Sequence, residues 1–494
     1  MLPVFSCGHA AYQDTFVSDF LTLYPNPMLL PKATWTIIVE FWHLDLSQTD
    51  QLLQQSYSKF GPAPRQPSCM LRSYLLSIKL KITSVTKWVQ FLKENPLYAI
   101  LSGFQPDNVP GIGTFYDFFS RLWQYNSNQF SPKQRYRKTK VKKGKKTGDK
   151  TPLDTNSACS KLLPLLVRNK IQPKHAFSLI FRLYEKQFLA VSLKNGLIDH
   201  EHLSLAGDGS PIRTSARSRS HRTCNCRDLG INDCSCKRHY SQPDCNIGWD
   251  SSRNCYFSGY HLYMFVASDS KNDLPIFPLL ERGSRHDMLS FLHTFFSMKS
   301  YLPEFRIEKL LLDAAHDAYP LYDYCNKEGI TPFIDLNKGN FSNFKYKNDF
   351  TIGSDGNPVC KMGLRMHRDG YEKAKHRIKY RCPKMSKTKG CTCESPCSDS
   401  NYSRTVHLSS KDNPRLFNIP PRDSKPWKKE YDRRTSVERS NKREKNDYKL
   451  EDGKHRSTKM WYCRLYGIMM LQHLDAWEMP SIEAFQELLL SFAA

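Results

Sequence analysis

The sequence contains no run of about 18 apolar residues, so no stretch of it is built to cross a membrane as a helix. The first residues, Met1-Leu-Pro-Val-Phe-Ser-Cys7, lack the basic segment that opens an export signal. Together these absences point to a cytoplasmic protein with no membrane partner. Acidic residues are in short supply, with 48 Asp+Glu against 73 Lys+Arg and a formal net charge of +25. That imbalance suits a partner rich in phosphate. Cysteine is not scarce, but many of the 16 are concentrated in two clusters of a large chain, which reads against a disulfide scaffold and for metal ligation or reduced thiols. With 494 residues, 39% of them hydrophobic, the chain has room for about two to four domains with cores of their own.

Pro and Gly are also missing from residues 427–452, while Asp423 and Ser424 offer capping side chains before this stretch and Gly453 can close it. One long polar helix is predicted. At about 100° per residue, Tyr431, Arg434, Glu438 and Lys445 fall within about 60° of one another, so one carboxylate sits on a face of cations and a phenol. Such a face suits a metal ion held between the carboxylate and a polyanion, with Arg and Lys neutralising phosphates. The plainer reading is a solvated, salt-bridged helix. The spacing Tyr-x2-Arg-x3-Glu-x6-Lys resembles the signature around the last acid of the Asp-Asp-Glu triad in a large group of bacterial transposases, the insertion-sequence-four-like group. The resemblance implies that Glu438 is a catalytic metal ligand and that Tyr431, Arg434, Lys442 and Lys445 contact DNA.

Residues 1–125 read as helical. Leu52, Leu53 and Tyr57 share a face, residues 61–67 break the chain, and Ser68 is placed to cap a helix in which Met70, Leu71, Tyr74, Leu75 and Ile78 recur at helical spacing. Val85, Trp88, Val89 and Leu92 mark a third helix, and Thr114 starts a fourth with Phe115, Phe118, Phe119 and Leu122. Such a bundle either serves packing alone or includes a helix-turn-helix for a DNA groove. The succession Tyr57, Gly61-Pro62, Leu71-Arg72, Leu101-Ser-Gly103-Phe104 and Thr114-Phe115-Tyr-Asp-Phe118 resembles the N-terminal domain of the same transposases, which favours DNA. The following linker is almost purely basic, and Lys138, Lys140, Lys142 and Lys143 are expected to clamp phosphates, the alternative being a solvated linker. Helical spacing returns over residues 162–193.

Around residues 202–211 a short strand is expected to end in Asp208. Residues 256–268 and 274–280 read as the second and third strands, 288–302 as an amphipathic helix, and 309–312 as a buried strand ending in Asp313. Asp317 reads as a turn residue and His316 as structural or DNA-facing. A further strand is expected near 330–336. Three strands, a helix, a strand and later a helix bearing an acid is the order of the ribonuclease H-like fold, where Asp208, Asp313 and Glu438 occupy the places of the catalytic acids. Three carboxylates supply the hard oxygen ligands that two Mg²⁺ (or Mn²⁺) ions require. The long polar interval between Asp313 and Glu438 implies a β-rich insertion, as related transposases often carry.

Cys224-x-Cys226-x7-Cys234-x-Cys236 lies between the first two strands, and Cys382, Cys391, Cys393 and Cys397 lie in the insertion. Each quartet could hold a Zn²⁺ ion, against the reading of reduced, unliganded thiols. Trp461, Leu465, Ile468, Met469, Leu471 and Leu474 predict a closing helix packed on the sheet, with a dimerisation helix as the weaker reading.

The fold expected is α/β (α+β overall): a helical DNA-binding domain over 1–130, a basic linker over 131–160, a ribonuclease H-like domain over 161–337 and 426–480, and an insertion over 338–425. The resemblance implies a transposase that cuts double-stranded DNA at the terminal inverted repeats and joins it to target DNA. It also implies a homodimer on paired ends, a hairpin intermediate, and a place at the bacterial nucleoid. The rivals are a metal-dependent nuclease and an inactivated relic acting as a zinc-stapled DNA-binding protein.

Overall fold

The computed structural model describes residues 8–25, 30–58, 60–123, 135–136, 158–171, 177–217, 220–242, 244–337, 344–346, 350–353, 356–386, 390–394, 396–398, 400 and 403–493. The chain begins with helices α1 (His9–Leu23), α2 (Lys32–His43), α3 (Ser47–Leu53), α4 (Pro67–Lys79), α5 (Val85–Glu94), α6 (Pro96–Ser102) and α7 (Ile112–Arg121). Helix α4 starts on Pro67, whose missing N–H costs nothing in a first turn. Ser68 does not cap it. Instead Asp50 of α3 accepts hydrogen bonds from Ser68 N and Oγ, both at 2.8 Å, so a carboxylate from another helix satisfies the α4 start. Ser84 does cap α5, while α7 begins after Gly111 and has Thr114 inside it.

The periodic residues of α4 mark only one face of a helix that is buried from Pro67 to Ile78. Its cover includes α15 (Thr458–Leu474), which carries the Trp461 to Leu474 series and is buried over that whole span. At the crossing, a Cβ on Gly467 would lie 2.5 Å from Ile78 Cδ1, so the absence of a side chain there sets how closely the helices approach. With no open face, α15 is the closing helix and not a surface for a second copy. Helix α8 (Ala158–Val167) follows the linker, and α9 (Ser178–Tyr184) passes through a π turn (Glu185–Leu189) into α10 (Ala190–Lys194).

The main sheet has six strands: β1 (Leu203–Arg213), β2 (Asn246–Asp250), β3 (Cys255–Ala267), β4 (Pro275–Arg282), β5 (Ile307–Leu312) and β6 (Thr331–Ile334). Strand β1 is central, antiparallel to β3 and parallel to β5; β2 and β4 pair with β3, and β6 pairs with β5 in parallel. Between β4 and β5 runs α11 (Asp287–Tyr301), and between β5 and β6 runs α12 (Tyr319–Glu328). The mixed α/β class expected from the sequence is the one observed.

The segment before β6 and the one after it differ in their cores. One continuous hydrophobic cluster runs from Phe16 through the sheet to Leu489, so the N-terminal helices and the sheet share it. The insertion has a separate cluster including Ile378, Leu408 and Phe417, built on an antiparallel sheet of β7 (His367–Glu372), β8 (Arg377–Arg381) and β9 (Thr405–Ser409).

The stretch predicted as one long helix is segmented. Helix α13 (Lys425–Tyr431) passes through a 3-10 turn (Asp432–Arg434) into α14 (Thr435–Lys442) and a π turn (Arg443–Asp447). Ser424 caps it, accepting from Trp427 N at 3.3 Å, whereas Asp423 pairs with Arg368. The buried Arg464 binds the carbonyls of Tyr448, Lys449 and Leu450, and this ends the helical run before Gly453. Helix α16 (Ile482–Ala493) follows α15. Among the described residues no helix is long and apolar enough to cross a membrane.

Candidate active site

Asp208 lies in the middle of β1, opposite Met264 of β3, and the strand runs on to Arg213. The expectation that the strand ends at the acid needs correcting: what ends there is the pairing with β5, which covers only Leu203 to Ala206. Beyond that point side chains from the signature helix and the segment after it bind the strand. Lys445 donates to Pro211 O at 2.7 Å and to Ser210 Oγ, and Glu451 accepts from Arg213 N at 3.0 Å. Glycines flank the acid because neighbours press close: a Cβ on Gly207 would lie 2.7 Å from Phe265, and one on Gly209 would collide with Asp287 and His261.

Asp313 follows β5 directly and caps a 3-10 turn (Ala314–His316), accepting from Ala315 N at 3.1 Å. His316 Nδ1 lies 2.6 Å from its carboxylate, and His316 Nε2 is 2.8 Å from Tyr263 Oη. His316 is therefore structural, fully buried between the acid and the sheet. Asp317 takes a different role, binding Arg415 of the insertion at 2.6 Å and Asn337 N at 2.8 Å.

The electrostatics of the two aspartates diverge. Burial, then the like charges of Asp313 and Asp287, push Asp208 up to about 7, with Arg434 working in the opposite direction. Burial alone would also raise Asp313, but the hydrogen bond and charge of His316 outweigh it and hold this acid below its usual range. Asp287 was not anticipated. It opens α11 and pairs with His261 of β3 at 2.9 Å, beside Gly209. Burial would raise Asp287 too, but His261 and neighbouring histidines pull it below its ordinary value.

Glu438 sits on α14, which packs against β1 and β3, and its carboxylate is bound by Arg434 at 2.5 Å. Arg434 lies over the Tyr431 ring at 5.8 Å, and Tyr431 stacks on Trp427 at 4.5 Å. Tyr431 is pushed up to about 12, first by burial, with Asp335 and Asp313 adding to it. The Arg434 charge thus acts on Glu438, Tyr431 and Asp208 together. Among the described residues, Asp208, Asp313 and Glu438 do not gather with their ligand oxygens all within 4.8 Å of one another. Two of the three carboxylates have a partner of their own, Asp313 in His316 and Glu438 in Arg434.

Lys445 and the other basic residues are placed unequally. The 3-10 and π turns break the regular progression of side chains, and Lys445 is turned onto β1, with burial lowering its pKa. Lys442 is exposed on α14. Lys138, Lys140, Lys142 and Lys143 lie outside the described residues. A pair of adjoining grooves instead presents basic side chains: Lys454 and Arg456 line both, with Lys87 and Tyr116 of the helical region on one side and Arg217 and His221 on the other. The first cysteine quartet is gathered in one place, whereas in the second Cys382 is buried, Cys393 and Cys397 are half-buried, and the Cys391 side chain lies outside the described residues.

Comparison with curated proteins and with solved structures gives no match. Residues 38–121, from within α2 to the end of α7, match the family model described as Transposase domain (DUF772). That match supports a transposase.

Proposed function

We propose that the chain is a transposase of the Asp-Asp-Glu class, in the insertion-sequence-four-like group, which cuts double-stranded DNA at the ends of its element and joins them to target DNA. The observation that carries this reading is the placement of Asp208 on the central strand, Asp313 directly after the neighbouring parallel strand and Glu438 on a helix packed against the central strand, together with the transposase-domain match over residues 38–121. The strand order β4-β3-β1-β5-β6, with β3 antiparallel, supports a ribonuclease H-like catalytic layer.

The donor set fits divalent cations, because three carboxylates supply the hard oxygen ligands that Mg²⁺ or Mn²⁺ prefers and two of them stand on or directly after neighbouring strands of the sheet. Asp208, Asp313 and Glu438 would hold two Mg²⁺ (or Mn²⁺) ions, which when bound activate the attacking oxygen and stabilise the leaving one. His316 fixes the rotamer of Asp313 from its buried side. Arg434 and the exposed Lys442 would neutralise DNA phosphates beside the acids. Lys445 and Glu451 hold β1 in place where it has left β5. The grooves around Lys454 and Arg456 would carry the duplex between the helical region and the sheet.

Incubating the chain with its own flanking DNA and Mg²⁺ tests the reading. Nicks confined to the element ends, followed by joined products, are expected. End-specific cutting without joining would reduce the protein to a nuclease, and bound but uncut ends would overturn the catalytic assignment.

A further inference from the structure

The loop between β1 and β2 has almost nothing to fold around. From His221 to Cys236 every residue is exposed except Cys224, Cys226, Cys234 and Cys236. Even Leu229 and Ile231 face solvent, at 67% and 51% exposure. A chain that turns its four thiols inward and its aliphatic residues outward is not burying a hydrophobic core.

The four Sγ atoms all lie within 4.8 Å of one another, with Cys224–Cys234 and Cys226–Cys236 each at 3.6 Å. Disulfide sulfurs sit about 2.05 Å apart, so these pairs are not in bonding contact. Thiolates bound to one Zn²⁺ at about 2.3 Å occupy the corners of a tetrahedron with edges of about 3.8 Å, close to the spacing seen. The turn after Cys226 is itself ordered: Ile231 N donates to Cys226 O at 2.8 Å, and Gly230 adopts a left-handed φ of 75°. Arg222 donates to Asn232 O at 2.9 Å, tying the strand before the quartet to the turn before Cys234.

The loop also carries a small antiparallel sheet. His221–Arg222 pairs with Lys237–His239, and Lys237–His239 pairs with Arg135–Tyr136 of the basic linker, so both strand ends adjoin the quartet and the third strand arrives from the linker.

We infer that Cys224, Cys226, Cys234 and Cys236 bind one structural Zn²⁺ in a closed four-thiolate site, and that this ion holds the loop on which the basic linker docks. Four soft thiolates with no open position select zinc over magnesium and leave no place for substrate.

The test uses the full-length chain, purified without chelators. Zinc is measured per chain in the parent and in a Cys226→Ser/Cys236→Ser variant, and a loss of about one zinc is expected. In parallel, a chelator is added to the parent and trypsin cleavage after the exposed Arg227 is followed; cleavage should speed up at least about tenfold and be suppressed again by added Zn²⁺. The second measurement stands even if the double variant does not fold. Unchanged zinc content in a folded variant, or cleavage after Arg227 indifferent to chelator and zinc, would overturn the site. Neither readout depends on DNA cleavage, so the zinc site and the transposase reading fail independently.

Discussion

Lys445 on the signature helix reaches Pro211, three positions beyond Asp208 on the central strand, and donates to its carbonyl at 2.7 Å. The contact links the helix bearing Glu438 to the strand bearing Asp208 through the backbone, and it makes Lys445 a structural cation rather than the DNA contact expected from the sequence.

Lys445→Ala should therefore act mainly on stability. It leaves the Pro211 carbonyl and Ser210 hydroxyl without their buried donor, which costs about 1–3 kcal/mol. A lowered midpoint in thermal or denaturant unfolding is expected, with little change in the salt dependence of DNA binding. A stable variant with a shallower salt slope would return Lys445 to the DNA.

Glu438→Gln keeps the shape of the side chain and the neighbouring Arg434, but removes the charge that the proposed metal site would use. DNA binding should survive while end cleavage falls by about 10²-fold or more. Arg434→Ala should instead weaken binding and reduce the slope of log affinity against log salt by about one. Near-parental cleavage by Glu438→Gln would mean that α14 presents only a solvated charged face.

His316→Ala removes the group that fixes Asp313 and takes away the hydrogen bond between His316 and the Tyr263 hydroxyl. The Mg²⁺ concentration for half-maximal cleavage should rise about 10–100-fold, with a smaller change at saturating Mg²⁺. A uniform loss at every Mg²⁺ concentration would point to a role other than positioning.

Asp208 gives a pH signature. In the folded chain it keeps its proton up to about pH 7, whereas its ordinary value is 3.8. The folded state binds the extra proton in that window, so this group makes stability fall as pH rises from about 4 to about 7 and then level off. Without divalent ions, Asp208→Asn should stabilise the protein at pH 8 and have little effect near pH 4. Added Mg²⁺ should stabilise the parent at pH 8 more than the variant. Equal melting shifts for the variant at both pH values would contradict the raised carboxyl.

For the basic grooves, Lys454→Glu and Arg456→Glu should each weaken DNA binding and lower its salt slope, without changing the fold, since both side chains line open grooves. Binding curves at several salt concentrations decide this.

The two aspartates were legible because each stands beside apolar or small residues in strand-forming stretches, and Glu438 because of its spacing to Tyr431 and Arg434. The Asp287–His261 pair left no such trace. His261 is embedded in a largely apolar strand and Asp287 reads as an ordinary first-turn acid, and only the packing of α11 and β3 around Gly209 brings them to the site. The periodicity of α4 likewise revealed one apolar face, but not that Ser68, Arg72 and Ser73 on the other sides would be buried too, because that depends on what a distant helix brings to it. The Lys445 contact with β1 escaped for a related reason: helical spacing alone does not report the 3-10 turn and the π turn that interrupt this stretch.

The tight crossing of α4 and α15 at Gly467 has a mechanical consequence. Any relative rotation of the N-terminal helices and the sheet would have to pull Ile78 away from Gly467 and break a continuous apolar layer, so α2 to α7 are held at a fixed bearing to the strands that carry Asp208 and lead into Asp313. The insertion, with a core of its own, is tied to the sheet layer by polar contacts instead, Arg415 to Asp317 and Arg422 to the Ile334 carbonyl and the Tyr322 hydroxyl.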